Sequence, residues 1–509
     1  MHKIFTLCLA LTGLSLSGFA QKQPKWTMMT SLDGYKTYNK RFSEQSGNNG
    51  TQAVIALPNG NVAAVVQLEK NQFAVAGLDP DMQPLWHSPV KGYPLGFGIL
   101  HGKILLVCAD DYNFLKSFAP DYSATLLDMS SGKILSEKSI YKGNGNYISR
   151  PVFFFSENDD FCMAIRETEL KRGVKVVVPL AIAAQVNELK KKFHETRGVE
   201  VFSLNSELEL IEKRKLNFPP SGYVTNLEYA GNGKMILRTA STSSFALYVY
   251  EKESENPARV IDQGITTRKY MLGNAVPVDA MVLPSKSNLN HVYEAAVFST
   301  ADKDRILLVS DYDLEKSTVK TTTETFTKDY FKSIVKDYKP ANPKFEKVNF
   351  NTYKKMELGD LREVNKQILV SVSPAYYRSS TITQGVAYAS FEDILLNVYD
   401  QNLQLQKQFA LPRDIAWPIA DETGMYQRGN FLYFFHNMTV KKPVFTKIDL
   451  SNWSINETGF FEREKNDHLM ASQSVLFLKN GIYVPYLDFS TGFGGLKLKP
   501  YYLKASIRQ

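Results

Sequence analysis

The stretch Phe73-Ala-Val-Ala-Gly-Leu-Asp79-Pro-Asp-Met-Gln-Pro-Leu85-Trp86 reads as an apolar strand, an acidic turn and a second strand that opens on Leu. The pattern returns at Ala124-Thr-Leu-Leu-Asp128, a turn, then Ile134-Leu135. It recurs around Val201, Leu247, Leu307, Leu395 and Phe445. The turn residues stand at 79, 128, 205, 251, 313, 400 and 449, so the mean step is about 62 residues. A fixed period of this size implies an array or a propeller of like units.

Each unit is preceded by another hairpin. Turn signals mark these at Pro58-Asn59-Gly60, His101-Gly102-Lys103, Asn158-Asp159, Gly231-Asn232-Gly233 and Arg428-Gly429-Asn430. Two hairpins make four strands, the size of a propeller blade. Seven full units can be counted. Residues 473–487, turning at Lys479-Asn480-Gly481, and a strand at 501–507 add three strands of an eighth. The run 25–31 could supply the fourth and remove the exposed edges of an open array. The expected fold is all-β: an eight-bladed β-propeller closed by the N-terminal strand, with short helical inserts. Seven blades and two separate β-domains are the alternatives.

Composition agrees. The chain has 509 residues and is 44% hydrophobic and 22% charged, which excludes a disordered or fibrous chain. The net charge of +8 comes without basic blocks interleaved with aromatics, so nucleic acid is not an expected partner. Residues 1–20 read as a signal peptide: Lys3, an apolar run from Ile4 to Leu16, and Gly18 and Ala20 before a cut at Gln21. The expectation is a single domain over 21–509, periplasmic or secreted, monomeric and without a transmembrane segment. Cys108 and Cys162 remain after cleavage. They read as small hydrophobes on strands, with one disulfide as the alternative.

Two hairpins carry a family resemblance. Asp79-Pro-Asp-Met-Gln-Pro-Leu-Trp86 and Asp128-Met-Ser-Ser-Gly132-Lys133-Ile-Leu135 resemble the quinoprotein-like (PQQ-like) repeat, in which a strand, an Asp, a Gly-Lys turn and a Trp-bearing strand follow one another. Gly132-Lys133 is present in one hairpin and Trp86 in the other. The resemblance implies propeller geometry, which serves both quinone-dependent dehydrogenases and non-enzymatic envelope scaffolds. Those dehydrogenases hold their cofactor with adjacent cysteines and calcium ligands, and no adjacent cysteines occur here.

The alternation of strands sorts the connections. Turns inside each hairpin fall at one end of the blades. Connections between hairpins fall at the other, and the long excursions belong there: 110–123, 167–198, 326–353 and 373–392. The domain inserts lie near 168–197, with helical spacing of Leu180, Ala183, Leu189 and Phe193, and near 326–352, with a helix expected over 329–338. Function concentrates on long loops held by a rigid scaffold. The candidate binding residues are therefore Asp110, Asp111 and Tyr112, the run Lys190, Lys191 and Lys192, and Tyr376, Tyr377 and Arg378. Loop aromatics including Tyr122 could grip a sugar or a peptide.

Catalytic signatures are missing. No two histidines stand at helical zinc spacing, and no acidic ladder forms a calcium loop. Phosphate-loop, dinucleotide and nucleophile-elbow patterns are absent. No metal site and no cofactor are expected. The first functional reading is an exported, non-catalytic binding protein for a protein or glycan of the cell envelope. The second is a carbohydrate-active enzyme with two carboxylates in the central pocket. A quinone- or metal-dependent oxidoreductase is the third. Sequons stand at Asn49, Asn437, Asn452 and Asn456.

Overall fold

The computed structural model describes residues 27–28 and 53–505, apart from 70–71, 111–120, 144–146, 156–160, 170–195, 220–222, 231–232, 241–244, 264–278, 300–304, 340–347, 349, 351–355, 380–386, 392, 414–422, 440–441, 462–467, 471, 473–474, 479–480 and 493–494. The reading of 1–20 as a signal peptide lies outside these residues. The described chain is nearly all β. It forms eight antiparallel sheets in chain order, consistent with a β-propeller. The sheets span 27–90, 93–141, 147–215, 223–262, 279–326, 356–411, 424–460 and 468–505. Sheets 2 to 5 and sheet 7 are plain four-stranded meanders, and sheet 6 adds a short strand to its second.

Burial explains the apolar runs. The third strand of sheet 6, Ile394–Tyr399, is buried at every position, whereas the fourth strand of sheet 2, Ile134–Tyr141, is mostly exposed. Alternate residues of an inner strand serve different neighbours. Ala246, Tyr248 and Tyr250 pack with sheet 3, while Leu247 and Val249 pack with sheet 5. A strand buried on both faces must be apolar at successive positions, so these strands lose the usual period of two. Each fully buried Val or Leu contributes about 1.5–3 kcal/mol before ordering costs.

Such clusters lie between each successive pair of sheets. Leu478 and Tyr483 of sheet 8 join the cluster of Val62, Ala64 and Val66 in sheet 1. The strand Leu476–Leu478 also lies beside Val54–Ala56. The last sheet thus packs against the first.

The N-terminal strand does not take the place expected of it. Thr27 and Met28 pair with Gln67 and Val66 of sheet 1, not with the outer edge of sheet 8. Val54–Ala56 occupies only the Val62–Ala64 half of that inner edge. The backbone groups of Val66 and Gln67 are left for Thr27–Met28 to satisfy. Sheet 8 correspondingly has His468–Met470 and Leu476–Leu478 sharing one edge of Gly481–Gly492, with Gly495–Ala505 on the other.

Six of the seven periodic turn residues share one physical role. Asp79, Asn205 and Asp400 each accept two backbone N–H bonds on Oδ1, at 2.8–3.0 Å, from the second and fourth residues on. The third residue on is Met82, Leu208 or Leu403, held at φ 64°, 61° and 59° with its side chain buried. Asp128, Asp313 and Asp449 open a second turn type, whose left-handed residue is the fourth on: Gly132, Ser317 or Trp453. An acceptor at the turn start is what both geometries require.

Candidate functional site

Strand order fixes the two ends of the sheets. Residues 57–61, 79–83, 101–102, 128–133, 205–209, 365–366, 400–404 and 429–430 make tight turns at one end. The other end carries 110–121, 170–195, 263–278, 327–355, 380–386 and 412–423. The sorting of connections read from the sequence matches this strand order. Two longer connections, 251–258 and 285–290, stand at the tight end, and the second is tied down. Glu363 of sheet 6 accepts hydrogen bonds from the Ser285 hydroxyl at 2.9 Å and the Lys286 N–H at 2.7 Å.

At the long-connection end, Asp110 closes the base of its loop. Its N–H donates to the Asp121 carbonyl and its Oδ1 accepts the Asp121 N–H, both at 3.0 Å. Asp121 in turn accepts the Gly143 N–H at 2.7 Å. Asp111, Tyr112, Lys190, Lys191 and Lys192 lie outside the described residues, as does the expected helix near 180–193. The second helix is present at Lys328–Asp337, one residue earlier than expected, because Thr327 caps it by accepting the Tyr330 N–H at 3.1 Å.

Tyr376, Tyr377 and Arg378 are strand residues rather than loop residues. They continue Gln367–Ser379 and pair with Ser390, Ala389 and Tyr388 of the strand Ala387–Phe391. The excursion 373–392 is thus largely a two-stranded arm, which satisfies its own backbone. Tyr122 is likewise no loop aromatic. It begins a strand, is fully buried, and its ring lies 5.6 Å from that of Tyr141. Of the candidate binding residues, the structure places Asp110 at the end of a sheet 2 strand and Tyr376–Arg378 on the arm of sheet 6.

Among the described residues, the cavities of the long-connection half include two that were not legible in the sequence. The first, of about 510 Å³, lies between sheets 2 and 3 and is lined by Tyr141, Glu167, Glu200, Phe202 and Lys213. The Tyr141 hydroxyl donates to Glu167 Oε1 at 3.2 Å. Lys213 Nζ stands 5.5 Å above the Phe202 ring and 3.9 Å from Glu200. The cleft, which Lys142 also lines, pairs two carboxylates with aromatic walls and two ammonium groups.

The second, of about 330 Å³, lies between sheets 6 and 7 beneath the end of the Lys328–Asp337 helix. His436 and Thr446 line it, and both are fully buried. His436 is held far below the ordinary imidazole value, down to about 3, by burial and then by the Arg413 charge. It is therefore neutral at any physiological pH. Neither cavity brings two carboxylates onto the innermost strands.

Other buried charge is structural. Arg238 of sheet 4 meets Glu294 of sheet 5 at 2.5 Å, and Gln263 donates to the same carboxylate at 3.1 Å. Burial, with Glu294 beside it, pushes the Tyr312 phenol well above its ordinary value. Arg166 donates to the Val224 carbonyl across the preceding interface at 3.1 Å. Cys108 and Cys162 are both free and buried, so the disulfide alternative falls. Burial raises the Cys162 thiol to about 12, which leaves it inert. Among the described residues no three His, Cys, Asp or Glu side chains could hold one metal ion, and no helix is long and apolar enough to cross a membrane.

No family model matches the chain, and no curated protein matches it. Solved structures similar to it include the Dos1 propeller, at 10% identity and a TM-score of 0.43 over 91% of this chain and 94% of that one. The dihydro-heme d1 dehydrogenase NirN is similar at 10% identity and 0.42, over 89% and 74%. BamB from Moraxella catarrhalis is similar at 9% and 0.34, over 75% and 80%. Likenesses at this level carry no argument about activity or partner.

Proposed function

We propose that the chain is a non-catalytic binding or scaffold protein, built as one eight-bladed β-propeller and exported by its N-terminal leader. In this reading, packing of sheet 8 against sheet 1 closes the ring through side chains. The long-connection end recognises a protein or glycan of the cell envelope. The observation that carries the reading is the one-sided sorting of connections: rigid, self-capped turns at one end and nearly all the long inserts at the other. The cleft of Tyr141, Glu167, Glu200, Phe202 and Lys213 lies in that half of sheets 2 and 3, and its mixed charge and aromatic walls suit a polar partner surface.

The test is a pull-down of the tagged mature protein from its own envelope extract, beside a version lacking 170–195. Those residues leave and re-enter at Glu169 and Thr196, which sit at neighbouring strand ends, so the sheet can be rejoined by a short linker. A near-stoichiometric partner lost on deletion supports the reading. A partner retained by both contradicts the choice of insert, and no partner in either contradicts the scaffold function.

A further inference from the structure

We propose that the outer strand of sheet 5, Thr318–Phe326, is a self-association edge, on which a second copy of this chain adds its own Thr318–Phe326 antiparallel. The dimer replaces the expected monomer, and it is independent of what occupies the long-connection face.

The outer strands are not alike. Those of sheets 1, 2, 3, 6 and 7 each break register with the strand inside them, and such a bulge twists an edge away from an incoming strand. That of sheet 4 has only 4 residues. Thr318–Phe326 instead pairs with Arg305–Asp313 along all 9 of its residues without a shift. Thr318, Lys320, Thr321, Thr323 and Thr325 are exposed. The strand is rich in β-branched residues and holds no proline, so every backbone group of its outer edge is free to pair. Gly495–Ala505 of sheet 8 is the other long strand without a shift. It carries Lys497, Lys499 and Lys504 with no acid, and Pro500 has no N–H to donate, so it repels its own copy.

The sequence of Thr318–Phe326 is complementary to itself. A two-fold axis at Thr322 sets Lys320 opposite Glu324 of the second copy, and Thr321 opposite Thr323 of the second copy. Lys320 and Glu324 both stand on the face that meets sheet 6. There Lys320 donates to the Asn402 side chain at 3.4 Å, and Tyr399 donates to Glu324 at 2.5 Å. Residues directly opposite share a face, so the axis creates two pairs of opposite charge. Glu324 is half-buried and also accepts the Tyr330 hydroxyl at 3.2 Å, but among the described residues no cation pairs with it. Lys320 of the second copy supplies one. Moving the axis to Thr321 or Thr323 sets Glu324 opposite a threonine, so charge fixes the register. The antiparallel fit points the two long-connection ends in opposite directions.

The test is sedimentation velocity of the full mature chain over a concentration series, with cysteine cross-linking to read the register. A monomer–dimer equilibrium is expected. Lys320→Glu sets like charges opposite each other at both pairs and should weaken the dimer about tenfold. Thr322→Cys places the new thiol beside its own copy at the axis, where opposite Cα atoms lie about 4.5–5.5 Å apart, within reach of a disulfide. It should give a covalent dimer on mild oxidation that reductant reverses. Thr318→Cys stands about 27 Å from its own copy in this register and should not cross-link. Cys108 and Cys162 are buried and do not compete. A chain that stays monomeric up to about 0.1 mM overturns the proposal. So does a dimer that Lys320→Glu leaves unchanged, and so does cross-linking of Thr318→Cys as efficient as that of Thr322→Cys.

Discussion

The Trp86 indole of sheet 1 lies against the backbone of Gly132, the left-handed residue of the sheet 2 turn, and a Cβ at Gly132 would overlap the ring. Ser88, two residues on, donates its hydroxyl to the Gly132 carbonyl at 2.5 Å. The Trp of one repeat and the Gly of the next are thus two halves of one joint between neighbouring sheets. Gly132→Ala should cost about 2–4 kcal/mol, from the φ of 70° and the displaced indole together. Gly102, at φ 73° with open space around it, is the control, and Gly102→Ala should cost only about 1–2 kcal/mol. Urea unfolding of both variants checks the difference.

Leu403 is held at φ 59°, where a side chain is disfavoured, yet is only 2% exposed. Its burial in the core shared by sheets 5 and 6 offsets the backbone strain. Leu403→Ala should therefore cost about 2–4 kcal/mol, while Leu403→Gly should cost no more despite losing a further carbon, because glycine relieves the strain. Comparing the two midpoints in denaturant decides it.

Asp128 is held at about 2, below the ordinary 3.8, by the Ser130 and Ser131 hydroxyls and the turn N–H groups. A depressed carboxylate stabilises the fold above its unfolded pKa, and that contribution disappears as pH falls from about 4 to about 2. Asp313 and Asp449 are shifted in the same direction by their own turns. Asp128→Asn keeps the acceptor and removes the charge. It should be less stable than wild type at pH 7 and converge on it in acid, as read by thermal melts across that range.

Asn437 stands in a sequon but is fully buried, and its amide exchanges hydrogen bonds with the Met470 backbone, both at 2.8 Å, joining sheets 7 and 8. Asn437→Ala should cost about 2–4 kcal/mol by stripping two buried backbone groups. Asn452→Gln, on an exposed turn, should stay within about 0.5 kcal/mol. Equilibrium unfolding distinguishes them.

The repeat was legible because its turns need an Asp or Asn acceptor at a fixed place, and Asp79, Asp128 and Asp400 advertise it locally. The pairing of Thr27–Met28 was not, since the choice between two free edges depends on how much of each the neighbouring strand has covered. The arm at Tyr376–Arg378 read as loop because its pairing with 388–390 is peripheral to the sheet and carries no strong alternation. His436 and Thr446 left no local signal. Their isolation is created by Pro412, Gln408 and a helix about a hundred residues earlier, which only the fold brings together. Leu85 and Ile134 open strands as the pattern predicts, but those are outer strands and the two side chains are 52% and 40% exposed.

The most direct test of the long-connection end as the working face is covalent-labelling footprinting of the mature protein in its own envelope extract against buffer alone. Peptides spanning 110–122, 169–196 and 375–391 should be protected in the extract, with 79–83, 128–133, 205–209 and 400–404 labelled equally in both. Protection concentrated on the tight turns would contradict the account.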